Sequence, residues 1–137
     1  MNRYEILHMP AGKKLDFIIL RDVMKWTPVY VEGGSLFGVP GELDSWIDGN
    51  RKSRPLGTSP STDISDAWEL VEKIVGKDCL DQDLFIECWS DGEWYVSFRP
   101  LGYSNREPAA VCDGKTSGSP SAPLAICRAA LLKEISE

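Results

Sequence analysis

Apolar side chains recur at Leu15, Ile18, Ile19, Val23 and Trp26, the repeat of one helical face, so the pattern predicts a first helix over residues 11–26. Phe17, Leu20 and Met24 add a second stripe, and a helix apolar on two faces is either sandwiched between layers or touches another subunit. Pro28 biases Thr27 out of the helical region and is expected to end the element. A second helix begins at a Thr62 or Asp63 cap, sets Ile64, Ala67, Trp68, Val71, Ile74 and Val75 at the i, i+3, i+4, i+7 spacing, and stops at Gly76. Near the C-terminus Pro123 fits a first helical turn, where its missing N–H costs nothing. A helix entered there lines up Leu124, Cys127, Leu131 and Ile135.

Between the second and last helices the period changes to two. Residues 84–89 and 94–99 are rich in aromatic and branched side chains and flank Ser90-Asp91-Gly92-Glu93, which predicts a β-hairpin. With Trp89 facing Trp94, one face would carry Phe85, Glu87, Trp89, Trp94, Val96 and Phe98. The other would carry Leu84, Ile86, Cys88, Tyr95, Ser97 and Arg99. Both faces hold apolar residues, as expected of a sheet covered on both sides. Residues 109–113 read as a third strand, followed by a Gly/Ser loop. Residues 33–60 form a long insertion in which Gly33-Gly34, Gly38, Pro40-Gly41, Gly49-Asn50 and Pro55 break every regular pattern. Phe37, Leu43, Trp46 and Ile47 are larger than a solvated linker needs, so the insertion should fold back on the domain.

The 137 residues suit a single domain spanning residues 1–137, and 42% hydrophobic with 26% charged residues is the balance of a globular chain. A net charge of −6 argues against duplex nucleic acid as a partner, because neutralising phosphates takes a basic field. The sequence has neither an apolar run long enough to span a bilayer nor a signal-peptide pattern, so a cytoplasmic location is expected. Cys79, Cys88, Cys112 and Cys127 match no zinc spacing and read as small buried hydrophobes.

Four segments recur together. Ala11-Gly12-Lys13-Lys14-Leu15-Asp16 with Val23-Met24-Lys25-Trp26, Ser61-Thr62-Asp63-Ile64-Ser65-Asp66-Ala67-Trp68-Glu69-Leu70-Val71-Glu72-Lys73, Asp91-Gly92-Glu93-Trp94 and the stretch from Ser121 to Leu132 resemble the phage ABA-sandwich domain family. The resemblance implies an α/β (α+β) fold, a three-layer α-β-α sandwich around a small antiparallel sheet with three main helices. It also implies a phage or prophage origin, hence the host cell cytoplasm.

Candidate chemistry is concentrated in an aromatic and basic set. Trp46, Arg51 and Arg54 lie in the insertion beside Lys52, and Trp94, Arg99, Tyr103 and Arg106 lie at and after the hairpin. Aromatic faces stack on bases and guanidinium forks take phosphate oxygens in pairs, so these residues are the expected ligand-binding set. The competing explanation is that Trp46 anchors the loop and the basic run is a solvated turn. Gly33-Gly34-Ser35-Leu36-Phe37-Gly38 lacks phosphate-loop spacing, and His8 is the only histidine. Glu87, Asp91 and Glu93 could supply a carboxylate pair for acid/base work, but Asp91 and Glu93 sit in a turn, where solvated acids are ordinary. No catalytic residue, metal or cofactor is expected. The leading expectation is a non-enzymatic phage protein that sequesters a small nucleotide-derived ligand, such as a cyclic dinucleotide or ADP-ribose derivative serving as a host immune signal. The alternatives are an adaptor or inhibitor that binds a host factor through the first helix, and a small hydrolase. The second stripe of that helix also predicts a homo-oligomer.

Overall fold

A short helix that the apolar pattern does not announce, α1 (Arg3–His8), opens the computed structural model, which describes residues 1–30, 43–76, 82–100 and 118–136. Asn2 caps it, accepting the Glu5 N–H at 2.8 Å and donating to the Glu5 carboxylate at 3.2 Å. Helix α2 (Lys13–Ile18) follows and widens into a π-helical turn (Ile19–Val23), where the Met24 N–H reaches back to the Ile19 carbonyl at 3.0 Å. The helix ends before Pro28 can act. Lys25 takes a φ of 60° and the Trp26 N–H bonds to the Leu20 carbonyl at 2.9 Å, a left-handed stop of the Schellman type.

Pro28 belongs instead to a strand, and the insertion is not irregular throughout. Strands β1 (Thr27–Tyr30), β2 (Leu43–Ile47) and β3 (Ser53–Arg54) form an antiparallel sheet in that order. Pro28 is tolerated because β1 is an edge strand. The β2–β3 turn is built by Asp48, whose Oδ1 accepts the N–H groups of Asn50 at 2.8 Å and Lys52 at 2.9 Å. Trp46, opposite both Pro28 and Arg54, is 1% exposed and packs with Leu20 and Trp26 in a cluster joined by Phe17, Met24 and Leu43. Residues 43–60 of the insertion therefore fold back as expected, except that Ile47 stays on the surface, and Phe37 lies outside the described residues. The second stripe of the first helix is covered by this sheet of the same chain. That packing gives the stripe a partner within the same chain, with Phe17 and Met24 left half-buried.

Helix α3 (Ile64–Val75) starts and stops where its signals lie. Asp63 accepts the N–H groups of Ser65 and Asp66, and Gly76 takes a φ of 82°. Its buried face differs from the expected one: Ala67, Leu70, Val71 and Val75 are buried, whereas Ile64 is 52% and Trp68 47% exposed. Residues two apart point about 200° apart around a helix, so Trp68 and Leu70 cannot both face inward.

Strands β4 (Gln82–Cys88) and β5 (Trp94–Pro100) form the expected hairpin with the register shifted by one residue. Cys88 pairs with Trp94, Ile86 with Val96 and Leu84 with Phe98, which places these six on one face. The turn sets the shift. The Gly92 N–H bonds to the Trp89 carbonyl, Gly92 takes a φ of 84°, Asp91 accepts the Glu93 N–H, and the Trp89 N–H closes on the Glu93 carbonyl at 2.9 Å. This is a three-residue loop with a left-handed glycine, not the four-residue loop that a Trp89 to Trp94 pair requires. Cys88, expected to be buried, is exposed. The strand expected over residues 109–113 lies outside the described residues. Trp94 and Ser119 exchange backbone hydrogen bonds of 2.8 and 3.0 Å, tying β5 to the start of the last helix.

Helix α4 (Ala122–Ser136) is the centre of the main core. Every residue from Leu124 to Leu132 is buried, with contacts to β5, α3, the π-helical turn and α1. It is therefore buried all round rather than along a stripe, and Ile135, on the expected stripe, is 46% exposed. Arg128 is buried with it. Its guanidinium donates to the Met9 carbonyl at 3.0 and 3.3 Å and to the Ser119 hydroxyl at 3.1 Å, fastening the end of α1 to the β5–α4 junction. Desolvation pulls its pKa down while Glu93 opposes the shift. The whole is an α+β sandwich of helices packed on small antiparallel sheets.

Candidate functional site

A cleft of about 520 Å³ opens between α2, the β1–β3 sheet and the segment from Leu56 to Ser59. Its deep wall is Leu20 and Trp46, with Phe17 and Leu43 half-buried beside them, and its exposed rim includes Lys13, Leu56 and Gly57. The polar side is Asp16, Thr58 and Ser59. Asp16 is 7% exposed although it carries a carboxylate, because its oxygens are spoken for. The Ser59 hydroxyl donates to Oδ2 at 2.7 Å and the Ser61 N–H to Oδ1 at 2.8 Å.

These bonds make the cleft wall a joint between two helices. Ser61 Oγ accepts the Gly12 N–H at 2.9 Å at the entry to α2, and the Ser59 N–H donates to Asp66 at 2.8 Å in the first turn of α3. The Ser59 and Thr62 hydroxyls lie 2.6 Å apart. The segment that opens the cleft is thus positioned by polar contacts, of which the Ser61 N–H to Asp16 bond is buried, and the apolar wall behind it by the Trp46 cluster. Such a site has the volume and the mix of apolar surface with few polar groups that suit a small organic molecule.

Among the described residues expected to bind ligand, only Trp46 lines this cleft, and it does so as a buried wall. Arg54 is committed elsewhere. It donates to Asp48 at 2.9 Å and Glu69 at 3.3 Å, and its guanidinium lies 5.1 Å from the Trp26 ring centroid. The Lys52 N–H and the Arg54 guanidinium hold the Asp48 carboxyl below the usual carboxylate range. Arg51 is exposed in the β2–β3 turn at a φ of 62°. Trp94 belongs to the other cluster, half-buried against the main core beside Ile86 and Val96. Arg99 is placed in β5 by its backbone, and Tyr103 and Arg106 lie outside the described residues, as does the 33–38 glycine run.

The remaining candidates have local roles. His8 Nδ1 lies 2.8 Å from the Tyr4 carbonyl and its ring stacks on Tyr4. Glu87 accepts the Trp89 indole N–H at 3.0 Å. Burial, with the charge of Asp16 adding to it, pushes the Cys127 thiol well up, which keeps it protonated and unreactive. Among the described residues no group of three or more His, Cys, Asp or Glu side chains could hold a metal ion. No helix among them is long and apolar enough to cross a membrane.

Lys13, Asp16, Phe17, Leu20, Leu43 and Ser59 were not singled out as site residues by the sequence pattern. One signal was available: Asp16 interrupts an apolar helical stretch beside Leu15, where a charge needs a buried partner. A family model described as Phage ABA sandwich domain matches residues 18–131. No curated protein and no solved structure matches the chain.

Proposed function

The chain belongs to the phage ABA sandwich domain family, and we propose that this phage protein acts by binding and not by turnover. In this reading it sequesters a small nucleotide-derived molecule, such as a host immune signal of the cyclic dinucleotide or ADP-ribose kind, in the host cytoplasm. The observation that carries the reading is the cleft over Trp46, with Phe17 and Leu43 offering apolar surface to a planar ring. Lys13 is the one cation among the described lining residues, which favours a ligand that presents one anionic group there. The site is accordingly redrawn around Lys13, Asp16, Phe17, Leu43, Trp46 and Ser59.

Calorimetric titration of cyclic dinucleotides, ADP-ribose derivatives and mononucleotides tests it. One member should bind, and mass spectrometry should recover it intact. Lys13→Ala should weaken binding by roughly tenfold, the loss of a charge-assisted contact, and Leu56→Arg should block the rim. Absence of binding across the panel, or binding indifferent to both substitutions, would overturn the reading, and recovery of a cleaved ligand would replace it with hydrolysis.

A further inference from the structure

The surface of α3 that faces away from the core is independent of the cleft. Ile64 and Trp68, one turn apart and 52% and 47% exposed, line an open concavity of about 410 Å³ together with Ser65, Glu69 and Glu72. Single exposed apolar residues are ordinary, but two large ones lining one hollow mark a surface that gains from being covered.

The charges around the hollow select what covers it. Glu69 shares its carboxylate with Arg54 at 3.3 Å, whereas Glu72 makes no ion pair among the described residues. The other nearby acids are turned to backbone: Asp63 caps α3, and Asp66 accepts the Ser59 N–H. An exposed indole with a carboxylate one turn further along is a receptor for a cation, which the ring attracts through its face and the carboxylate through its charge. A second copy of the chain is disfavoured, because a twofold contact would bring Glu69 and Glu72 near their own equivalents in a chain of net charge −6. An anionic bilayer is disfavoured by the same sign of charge.

We propose that the Ile64 and Trp68 face of α3 docks a basic segment of a partner protein. An Arg or Lys of that segment lies over the Trp68 indole within reach of Glu72, and a neighbouring aliphatic side chain packs on Ile64. The test uses three labelled synthetic peptides, one alternating Leu with Arg and the others replacing every Arg by citrulline or by Glu. Binding is read by fluorescence anisotropy and located by the Trp68 indole resonance. The Arg peptide should bind, shift that resonance and weaken with added salt, and the citrulline and Glu peptides should not bind. Trp68→Ala and Glu72→Lys should each reduce affinity about tenfold, the scale of one cation and ring contact. Glu72→Gln serves as a milder variant if either of those fails to fold. Failure of the Arg peptide to bind, equal binding of the Glu peptide, or an affinity untouched by the folded variants would overturn the proposal. So would a concentration-dependent dimer lost in Trp68→Ala, which would make the occupant a second copy.

Discussion

Around α4 the chain buries every residue from Leu124 to Leu132, and the same core takes in residues of α1, α2, α3 and the hairpin. The β1–β3 sheet instead rests on Leu20, Trp26 and Trp46, and its turn is held by one carboxylate, Asp48. In the first region the loss of one contact is shared among many neighbours. In the second, a few large groups each carry much of the whole. The cleft lies on the second, so the candidate site is built on the part of the molecule with the least redundancy.

The strongest test of that contrast sets Trp46→Ala against Ile126→Ala. Each removes a fully buried side chain and should cost about 2 to 5 kcal/mol. In Trp46→Ala, amide exchange should rise across Trp46 to Arg54 while Ile126 to Leu132 stay protected. Ile126→Ala should lower protection in both regions. Uniform loss of protection in Trp46→Ala would show that the two clusters form one cooperative unit.

Arg128→Met probes the polar fastening inside the larger core and should cost about 1 to 3 kcal/mol, because the Met9 carbonyl and Ser119 hydroxyl lose their charged donor. The urea midpoint should fall with an unchanged slope. A gain in stability would mean that desolvating the guanidinium outweighs its hydrogen bonds.

The smallest effect is confined to acid and to the small sheet. Asp48 has a folded pKa below its unfolded one, so the stability it lends is complete above about pH 4 and is lost as the pH falls through the lowered folded value. Asp48→Asn should destabilise the β2–β3 turn at neutral pH and remove this part of the acid dependence. Thermal melts between neutral pH and about pH 2 that show the same slope for both proteins would contradict the assignment.

The two regions also differ in how far the sequence reveals them. The ends of α3 are legible because the Asp63 cap and Gly76 stop are local chemistry, whereas its inward face is not, since Ile64 and Trp68 share the apolar stripe of Ala67 and Val71 while the buried Leu70 points about 200° away from Trp68. The hairpin is legible as a hairpin, but its register depends on a turn geometry that Asp91 and Gly92 allow in more than one length. Strands β2 and β3 are hidden by the glycines and prolines around them, and only large apolar residues such as Leu43 and Trp46 betray that the segment packs. The cleft is less legible still. Ser59 meets Asp16 across 43 positions of sequence, a proximity that no spacing rule reaches.

The π-helical turn at Ile19–Val23 has a consequence for chain length. A π turn accommodates one more residue per hydrogen-bonded ring than an α turn, so the helix carries what amounts to an insertion absorbed without a loop. Ile19 and Val23 stay on the main cluster while Leu20 and Trp26 go to the other, and Met24 touches both. Deleting one residue here would restore the regular repeat and swing Trp26 by about 100° relative to α2. A substitution in this turn loses a contact, but a deletion would disconnect the two clusters, so the spacing between Ile18 and Trp26 constrains the fold more tightly than the identity of any one residue between them.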